Sequence, residues 1–127
     1  MRTLIPEIIE TVSCSFLLSN PSVKFIPEQP LLQSTEFHIS RGTELYGVYC
    51  AFCHGTAVRA GPALPDLRMM NNDSHELFKE IVYEGILSEN GMSSFSDVLS
   101  ENDVESIYHY IVKTASIDRQ IQLEQNN

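Results

Sequence analysis

Apolar side chains recur at intervals of three and four residues in three stretches of the chain, a spacing typical of amphipathic helices. The predicted helices cover residues 40–52, 73–84 and 100–115. The second opens on Asp73 as a cap and stops at Gly85, a residue that readily ends a helix. The apolar stripes contain Leu45 and Tyr49 in the first helix, Leu77, Phe78, Ile81 and Val82 in the second, and Val104, Ile107, Tyr108 and Ile111 in the third. No stretch alternates like a strand, so the pattern predicts an all-α domain with long loops.

The two ends of this 127-residue chain differ in character from the predicted helical region. Prolines and polar residues fill residues 20–36, which predicts an extended linker. We therefore expect one folded domain over residues 37–115, followed by a polar C-terminal tail over residues 116–127. Residues 1–19 are poorly defined, either an imperfect export signal or the remnant of a preceding domain, because two glutamates interrupt their apolar run.

Charge and hydropathy restrict the partners that this chain can bind. The formal net charge of −9 argues against nucleic acid and against an anionic membrane surface. No segment has the roughly 18 to 20 apolar residues that a transmembrane helix requires. Nine acidic residues and a single lysine lie between Asp73 and Glu105, and they form either solvated helix faces or an acidic docking rim for a basic protein.

One short motif carries recognisable chemistry. The run Cys50-Ala51-Phe52-Cys53-His54 matches C-x-x-C-H, the signature of covalent c-type haem attachment. Two cysteines three residues apart at the end of a helix place both thiols within reach of the vinyl groups of one porphyrin. The imidazole of His54 then lies beneath the ring, where it can bind the iron. A haem would also give the long loops an apolar surface to pack against.

Two other kinds of site use a pair of cysteines at this spacing. A structural zinc site needs a second pair of ligands at short, regular spacing, whereas the third cysteine, Cys14, lies far upstream. A thioredoxin-like redox pair lies among alternating strands and helices, which the pattern does not predict. Covalent haem c, one per chain, is therefore the favoured cofactor.

Gly42, Tyr46 and Cys50 follow one another at intervals of four residues, and together with the C-x-x-C-H motif this run resembles class I cytochrome c. In that family the first and last helices cross at such a glycine and aromatic residue. Ile107 and Tyr110 of the third predicted helix are spaced to fill the gap beside Gly42. The resemblance implies the cytochrome c fold, all-α with three main helices and long loops wrapped around one haem.

Several residues downstream of the motif could supply the sixth ligand of the iron. The candidates are Met69, Met70, His75, Met92 and His109. The two histidines sit on predicted helices and are expected to be surface side chains, while Met69 and Met70 closely follow the loop that backs His54. The class I resemblance implies Met92, because that family supplies its methionine from a loop before the last helix.

The same resemblance assigns the surroundings of the proximal histidine. Residues 64–68 look like the loop in which a proline carbonyl accepts a hydrogen bond from the second ring nitrogen of His54, a bond that orients the imidazole. Pro65 is the implied acceptor, and Pro62 is the alternative. Arg68 either pairs with a haem propionate through its guanidinium group or is simply exposed.

A narrower resemblance rests on residues 64–68, the run from Gly91 to Phe95, and Leu99-Ser100. In these segments the chain is similar to the C-terminal cytochrome domain of quinohaemoprotein alcohol dehydrogenases. Those enzymes carry pyrroloquinoline quinone in a separate β-propeller. With both axial positions filled by His54 and Met92, small molecules cannot easily reach the iron, so we expect an electron carrier rather than an enzyme. Because haem attachment takes place outside the cytoplasm, we expect the protein in the periplasm or otherwise outside the cytoplasm. Its redox partners would be a dehydrogenase donor and a cytochrome or oxidase acceptor. This chain has none of the propeller, so neither alcohol oxidation nor quinone binding is implied.

Two other functions stay open at this point. A haem domain that binds or senses a small ligand would leave Met92 off the iron, and rapid binding of carbon monoxide to the reduced protein would identify it. A cytochrome-like fragment that is never loaded with haem is consistent with the weak export segment, because haem attachment takes place outside the cytoplasm.

Overall fold

The computed structural model describes residues 24–61 and 64–126, which form helices joined by loops and contain no β-strand. The α-helices in these ranges are α1 Glu36–Tyr49, α2 Ala51–His54, α3 Asn72–Glu76 and α4 Glu101–Gln125. A π-helical turn spans Glu80–Glu84, and 3₁₀ turns span Thr56–Val58, Leu67–Met69 and Ser88–Asn90. The prediction of an all-α fold is confirmed.

Helix α1 begins at Glu36, before the predicted start at residue 40, because Thr35 caps it. The Thr35 hydroxyl accepts a hydrogen bond from the backbone N–H of His38 at 3.2 Å, which satisfies one of the donors left free in the first turn. The helix ends one residue before Cys50, where the chain bends into the short helix α2. The single helix predicted over residues 40–52 is therefore two helices.

Helices α1 and α4 cross at Gly42, as the spacing of Gly42 and Tyr46 predicts. A Cβ atom at Gly42 would overlap the carbonyl oxygen of Ser106, so this close approach requires glycine. One turn further along, the rings of Tyr46 and Tyr110 tilt against each other with their centroids 5.1 Å apart. The crossing joins the helix that leads into the cysteine motif to the last helix of the domain.

The hydrophobic core connects the cysteine motif to the rest of the fold. Its buried members are Leu45, Tyr46, Cys50, Val58, Phe78, Val82, Leu99, Val104, Ile107 and Ile111. Met70, Met92 and Phe95 are partly buried and pack against these residues. Because Cys50 belongs to the core, the motif and the later loops share one apolar interior.

The second predicted helix, residues 73–84, is interrupted. Asn71 rather than Asp73 caps α3, since its side-chain oxygen accepts from the backbone N–H of Ser74 at 2.8 Å. At Leu77 the chain leaves α-helical geometry, with φ of −99° and ψ of 14°. It returns to helical geometry at residues 78–79 and then continues into the π-helical turn. Gly85 ends that turn in the left-handed conformation with φ of +76°, in agreement with its predicted role as a terminator.

Helix α4 extends well beyond its predicted end near Ala115. Ser100 and Asp103 form a capping box at its start, each side chain accepting from the other residue's backbone N–H at 3.1 Å. Beyond Ala115 the buried face continues with the polar side chains of Asp118 and Gln122. Polar positions give no hydrophobic signal, so the pattern of apolar residues does not indicate that the helix continues to Gln125.

Residues 24–35, the described part of the predicted linker, have no regular structure but pack against the helices. The backbone N–H of Ile26 donates to the side-chain oxygen of Gln122 at 2.8 Å, and the Ile26 side chain is fully buried. The side-chain amide of Gln29 donates to the carbonyl of Arg68 at 3.3 Å. The segment is thus held to α4 and to the loop after the cysteine motif, while the domain boundaries themselves stay predictions.

Some predictions fall outside the described ranges, namely those on residues 1–19, Cys14 and Pro62. Among the described residues, no helix combines the length and the apolar character needed to cross a membrane.

Candidate cofactor site

The end of α1 and the short helix α2 bring the cysteine motif into a single helical turn. The carbonyl of Cys50 accepts hydrogen bonds from the backbone N–H of His54 at 2.8 Å and from that of Cys53 at 3.2 Å. Cys50 is buried, Cys53 is exposed, and both are free thiols. Two thiols and one imidazole therefore lie on one turn, as attachment to a single porphyrin requires.

The buried thiol does not have the properties of a reactive redox cysteine. Burial, and to a smaller extent the charge of Cys53, raise the pKa of the Cys50 thiol to about 11. A redox-active cysteine has a lowered pKa, because the thiolate is the nucleophile. The strands that surround a thioredoxin-like pair are also absent from the described residues. Nor do these residues contain a group of three or more His, Cys, Asp or Glu side chains able to hold a metal ion alone.

The imidazole of His54 has the environment of a metal ligand. It is half-buried, and its Nδ1 atom is fully buried with no hydrogen-bond partner of good geometry among the described residues. Burial lowers the pKa of His54, and the backbone of Pro65 opposes this in part, so the ring is neutral at pH 7. A neutral ring can bind a haem iron through Nε2, and the buried Nδ1 is then left to donate a hydrogen bond that orients the ring. Pro65 stays the predicted acceptor.

Tyr46 binds the backbone around His54 through its hydroxyl group. The sequence predicts Tyr46 only at the helix crossing and does not predict this second contact. Its hydroxyl donates to the carbonyl oxygen of Gly55 at 2.7 Å and to that of His54 at 3.2 Å. Burial is the main cause that raises the pKa of this phenol far above its usual value, so the hydroxyl stays a donor. Gly55 has φ of +86°, and a Cβ atom there would overlap the backbone of Arg59.

The loop that contains Met92 is tied to the π-helical turn. The backbone N–H of Phe95 donates to the carbonyl of Val82 at 2.9 Å, and the Ser94 hydroxyl donates to the carbonyl of Tyr83 at 2.7 Å. Met92 itself is half-buried and packs against the same hydrophobic core as the cysteine motif. The fold thus brings Met92 and the motif to one core.

Met69 and Met70 share part of this environment. Both are half-buried, Met69 at the end of a 3₁₀ turn and Met70 directly after it, and Met70 packs against the same core as Met92. Burial alone does not distinguish these sulfur atoms, so Met92 as the axial ligand stays a prediction.

The two histidines considered as alternative ligands are hydrogen-bonded within the protein. Nδ1 of His75 lies 2.9 Å from the hydroxyl of Tyr108. The expectation that His109 is a surface side chain is wrong, because its ring stacks on His38 with centroids 4.6 Å apart and is buried. Nδ1 of His109 is hydrogen-bonded to the Ser34 hydroxyl. Helical position alone did not reveal these contacts.

Arg68, predicted either to pair with a propionate or to be exposed, is buried among charged side chains. Its Nε and Nη2 atoms donate to both carboxylate oxygens of Asp66, at 3.0 and 2.7 Å, and Nη1 donates to Asp118 at 2.9 Å. Burial alone would lower the pKa of Arg68, but the hydrogen bonds and charges of these two carboxylates raise it. The exposed alternative is wrong, because the side chain is buried and Asp66 and Asp118 bind its guanidinium group. Pairing with a haem propionate stays a prediction.

Large apolar side chains are exposed close in sequence to the candidate ligands. They are Val48 and Phe52 at the motif, and Ile86, Leu87 and Val98 on either side of Met92. Single exposed apolar residues are ordinary, but these border the two segments that carry the thiols and the methionine. Such a surface suits the apolar face of a porphyrin.

Several known proteins are similar in sequence to a large part of this chain. Residues 38–111 match the family model described as cytochrome c oxidase, cbb3-type, subunit III. The quinohemoprotein alcohol dehydrogenase ADH-IIG of Pseudomonas putida is 36% identical over 89 residues, which cover 70% of this chain and 12% of that protein. A cytochrome c6-like protein of Nostoc sp. is 32% identical over 79 residues, which cover 58% of this chain and 68% of that protein.

The similarity extends to three dimensions. The solved structure of the quinohemoprotein alcohol dehydrogenase ADHIIG from Pseudomonas putida HK5 matches with a TM-score of 0.67 and 34% sequence identity, over 75% of this chain and 14% of that chain. This chain therefore spans only a small part of the length of the dehydrogenases that it resembles.

Proposed function

This chain belongs to the cytochrome c family, and we propose that it binds one haem c through Cys50 and Cys53, with His54 and Met92 as the axial ligands of the iron. Members of the family are electron carriers rather than enzymes, and the chain is one of them. One observation carries the proposal: a single turn joins two free thiols to the half-buried imidazole of His54, whose buried Nδ1 atom has no well-placed hydrogen-bond partner among the described residues.

The bound haem would supply one-electron chemistry, and the residues of the chain would hold and tune it. Cys50 and Cys53 anchor the ring by thioether bonds, and His54 binds the iron from the end of α2. With haem bound, the carbonyl of Pro65 would accept the Nδ1–H of His54, which would keep the imidazole in one orientation and strengthen it as a donor. Met92 would supply the second protein ligand of the iron, which would exclude small ligands and raise the reduction potential.

We place the carrier between a dehydrogenase and a respiratory acceptor. One relative of known structure is a quinohemoprotein alcohol dehydrogenase, and a carrier domain in such a protein would take electrons from the dehydrogenase centre one at a time. A cytochrome or an oxidase would then receive them. Because haem attachment takes place outside the cytoplasm, we assign the protein to the periplasm or an equivalent compartment. The formal net charge of −9 favours partners with basic docking surfaces.

Covalent attachment is tested by expressing the chain with an added export signal in a host that matures c-type haem. Haem bound by thioethers survives denaturation, so haem peroxidase activity is expected on a denaturing gel at the mass of the protein. The double variant Cys50→Ser, Cys53→Ser should lose this stain, whereas the matched variant Cys14→Ser should keep it. An unstained wild-type band, next to a control cytochrome that stains, would reject the proposal.

A further inference from the structure

Four charged side chains form a cluster next to the segment that contains Pro65, and two of them, Asp118 and Arg68, are buried. Asp118 lies at its centre: Oδ1 accepts from Nη2 of Arg59 at 3.1 Å, and Oδ2 accepts from Nη1 of Arg68 at 2.9 Å. Asp66 completes this charge cluster through its two hydrogen bonds to Arg68. Two arginines and two aspartates give the charge cluster a net charge of zero.

The charge cluster connects three parts of the fold. Arg59 follows the 3₁₀ turn directly after the cysteine motif, while Asp66 and Arg68 directly follow the proposed acceptor of the His54 hydrogen bond. Asp118 lies on the part of α4 beyond residue 111, where the match to the family model ends. One carboxylate on the last helix therefore holds both of the segments that follow His54.

The balance of charge matters for the stability of the fold and for the cofactor because the central side chains are buried. The side chains of Asp118 and Arg68 are 5% and 7% exposed, so water screens their charges far less than it screens charges at the surface. Removal of one partner would leave the opposite charge uncompensated in a region of low effective dielectric constant. An unbalanced charge in this place would act on any charge that changes nearby, including that of an iron bound by His54.

We propose that Asp118 is a positioning residue for the proximal side of the cofactor and that it acts through Arg59 and Arg68. It holds the segment that contains Pro65 in place. Together with that of Asp66, its negative charge also balances the two guanidinium groups, which would otherwise favour the reduced iron. This inference rests on the proposed haem site, but Asp118 lies outside the motif and outside the proposed ligands.

Redox titration of the holoprotein, followed by visible spectroscopy, tests this role. Asp118→Asn leaves the charge cluster with an excess positive charge, and we expect the ratio of ferrous to ferric protein at a fixed solution potential to rise about threefold. Arg59→Gln removes one positive charge at a side chain that is 39% exposed, and the ratio should fall. The double variant restores neutrality and should return the ratio towards the wild-type value.

Glu124→Gln is the matched control, because it removes one acidic charge from the same helix, outside the charge cluster, and should leave the ratio unchanged. If Asp118→Asn lowers the stability but keeps the wild-type ratio, Asp118 is merely structural and the proposal is overturned. If Asp118→Asn yields no folded holoprotein, Arg59→Gln decides, since an unchanged ratio in that variant also overturns the proposal. If the proposed haem site itself is wrong, the wild-type protein will carry no covalent haem, and this result precedes any redox titration.

Discussion

The ring of Tyr49 meets the ring of Phe95 edge to face, with 6.3 Å between their centroids. Tyr49 is the last residue of α1 and directly precedes Cys50, and Phe95 lies in the loop that contains Met92. The contact therefore joins the segment that carries the thiols to the loop that carries the proposed methionine ligand. Aromatic pairs of this geometry contribute about 0.5–1.5 kcal/mol beyond the area that they bury.

Phe95→Leu should lower the free energy of unfolding by about 1 kcal/mol, because leucine keeps most of the apolar volume but loses the edge-to-face contact. Urea unfolding of the holoprotein measures the change. Phe37→Leu is the matched control, since Phe37 is 71% exposed and makes a similar edge contact with His38. That control should change the stability by less than about 0.5 kcal/mol. Equal losses in both variants would show that the Tyr49 contact does not hold the loop.

The features that could be predicted from the sequence depend on local spacing. Intervals of four residues revealed the crossing at Gly42, and a single glycine revealed the end of the π-helical turn at Gly85. The C-x-x-C-H motif is equally local, because its three chemical groups lie on one turn. Asp118 and Gln122 continue the helical spacing of the buried face beyond Ala115. Because both residues are polar, the pattern of apolar residues does not predict this extension of α4.

The surroundings of Arg68 could not be predicted, because its partners are not all local. Asp66 is two residues away, but Asp118 is fifty residues away in sequence, in a region without an apolar pattern. The burial of His109 has the same origin, since Ser34 and His38 reach it from the other end of the chain. Buried polar contacts between distant residues leave no periodic signal.

Alanine at Gly42 and at Gly47 should have opposite effects on stability, although both glycines lie in α1. A Cβ atom at Gly42 would overlap the carbonyl of Ser106 and force α1 and α4 apart. Gly42→Ala should therefore lower the free energy of unfolding by about 2 kcal/mol. A Cβ atom at Gly47 would meet no described atom of another segment within 4 Å, so Gly47→Ala should raise the free energy of unfolding by about 0.5–1 kcal/mol. Urea unfolding of both variants checks this, and a loss of stability at Gly47 would contradict it.

Stability should decrease as the pH falls below about 6.5, in part because of His109. Burial lowers the pKa of His109, the stacked His38 lowers it further, and Glu105 opposes both. The unfolded chain therefore binds a proton at a pH at which the folded protein still excludes it. The free energy of unfolding is fully retained above the unfolded-state pKa and falls as the pH drops from there towards the folded-state pKa.

Urea unfolding of the holoprotein at about pH 7.5 and about pH 5.5 measures this loss on either side of the unfolded-state pKa of histidine. His109→Gln should reduce the loss, because glutamine carries no titratable group. A part should remain, since burial also lowers the pKa of His75. An undiminished loss in His109→Gln would show that other groups cause the pH dependence.

Replacement of the axial methionine should open the iron to small ligands. If Met92 is that ligand, reduced holoprotein of Met92→Ala should bind carbon monoxide rapidly, whereas the wild-type protein should not, and the visible spectrum reports the binding. Met70→Ala is the matched control, because Met70 is also half-buried on the same core and loses the same apolar volume. If carbon monoxide binds to Met70→Ala but not to Met92→Ala, Met70 is the axial ligand. Rapid binding by the wild-type protein would instead favour a ligand-sensing haem domain over an electron carrier closed on both sides.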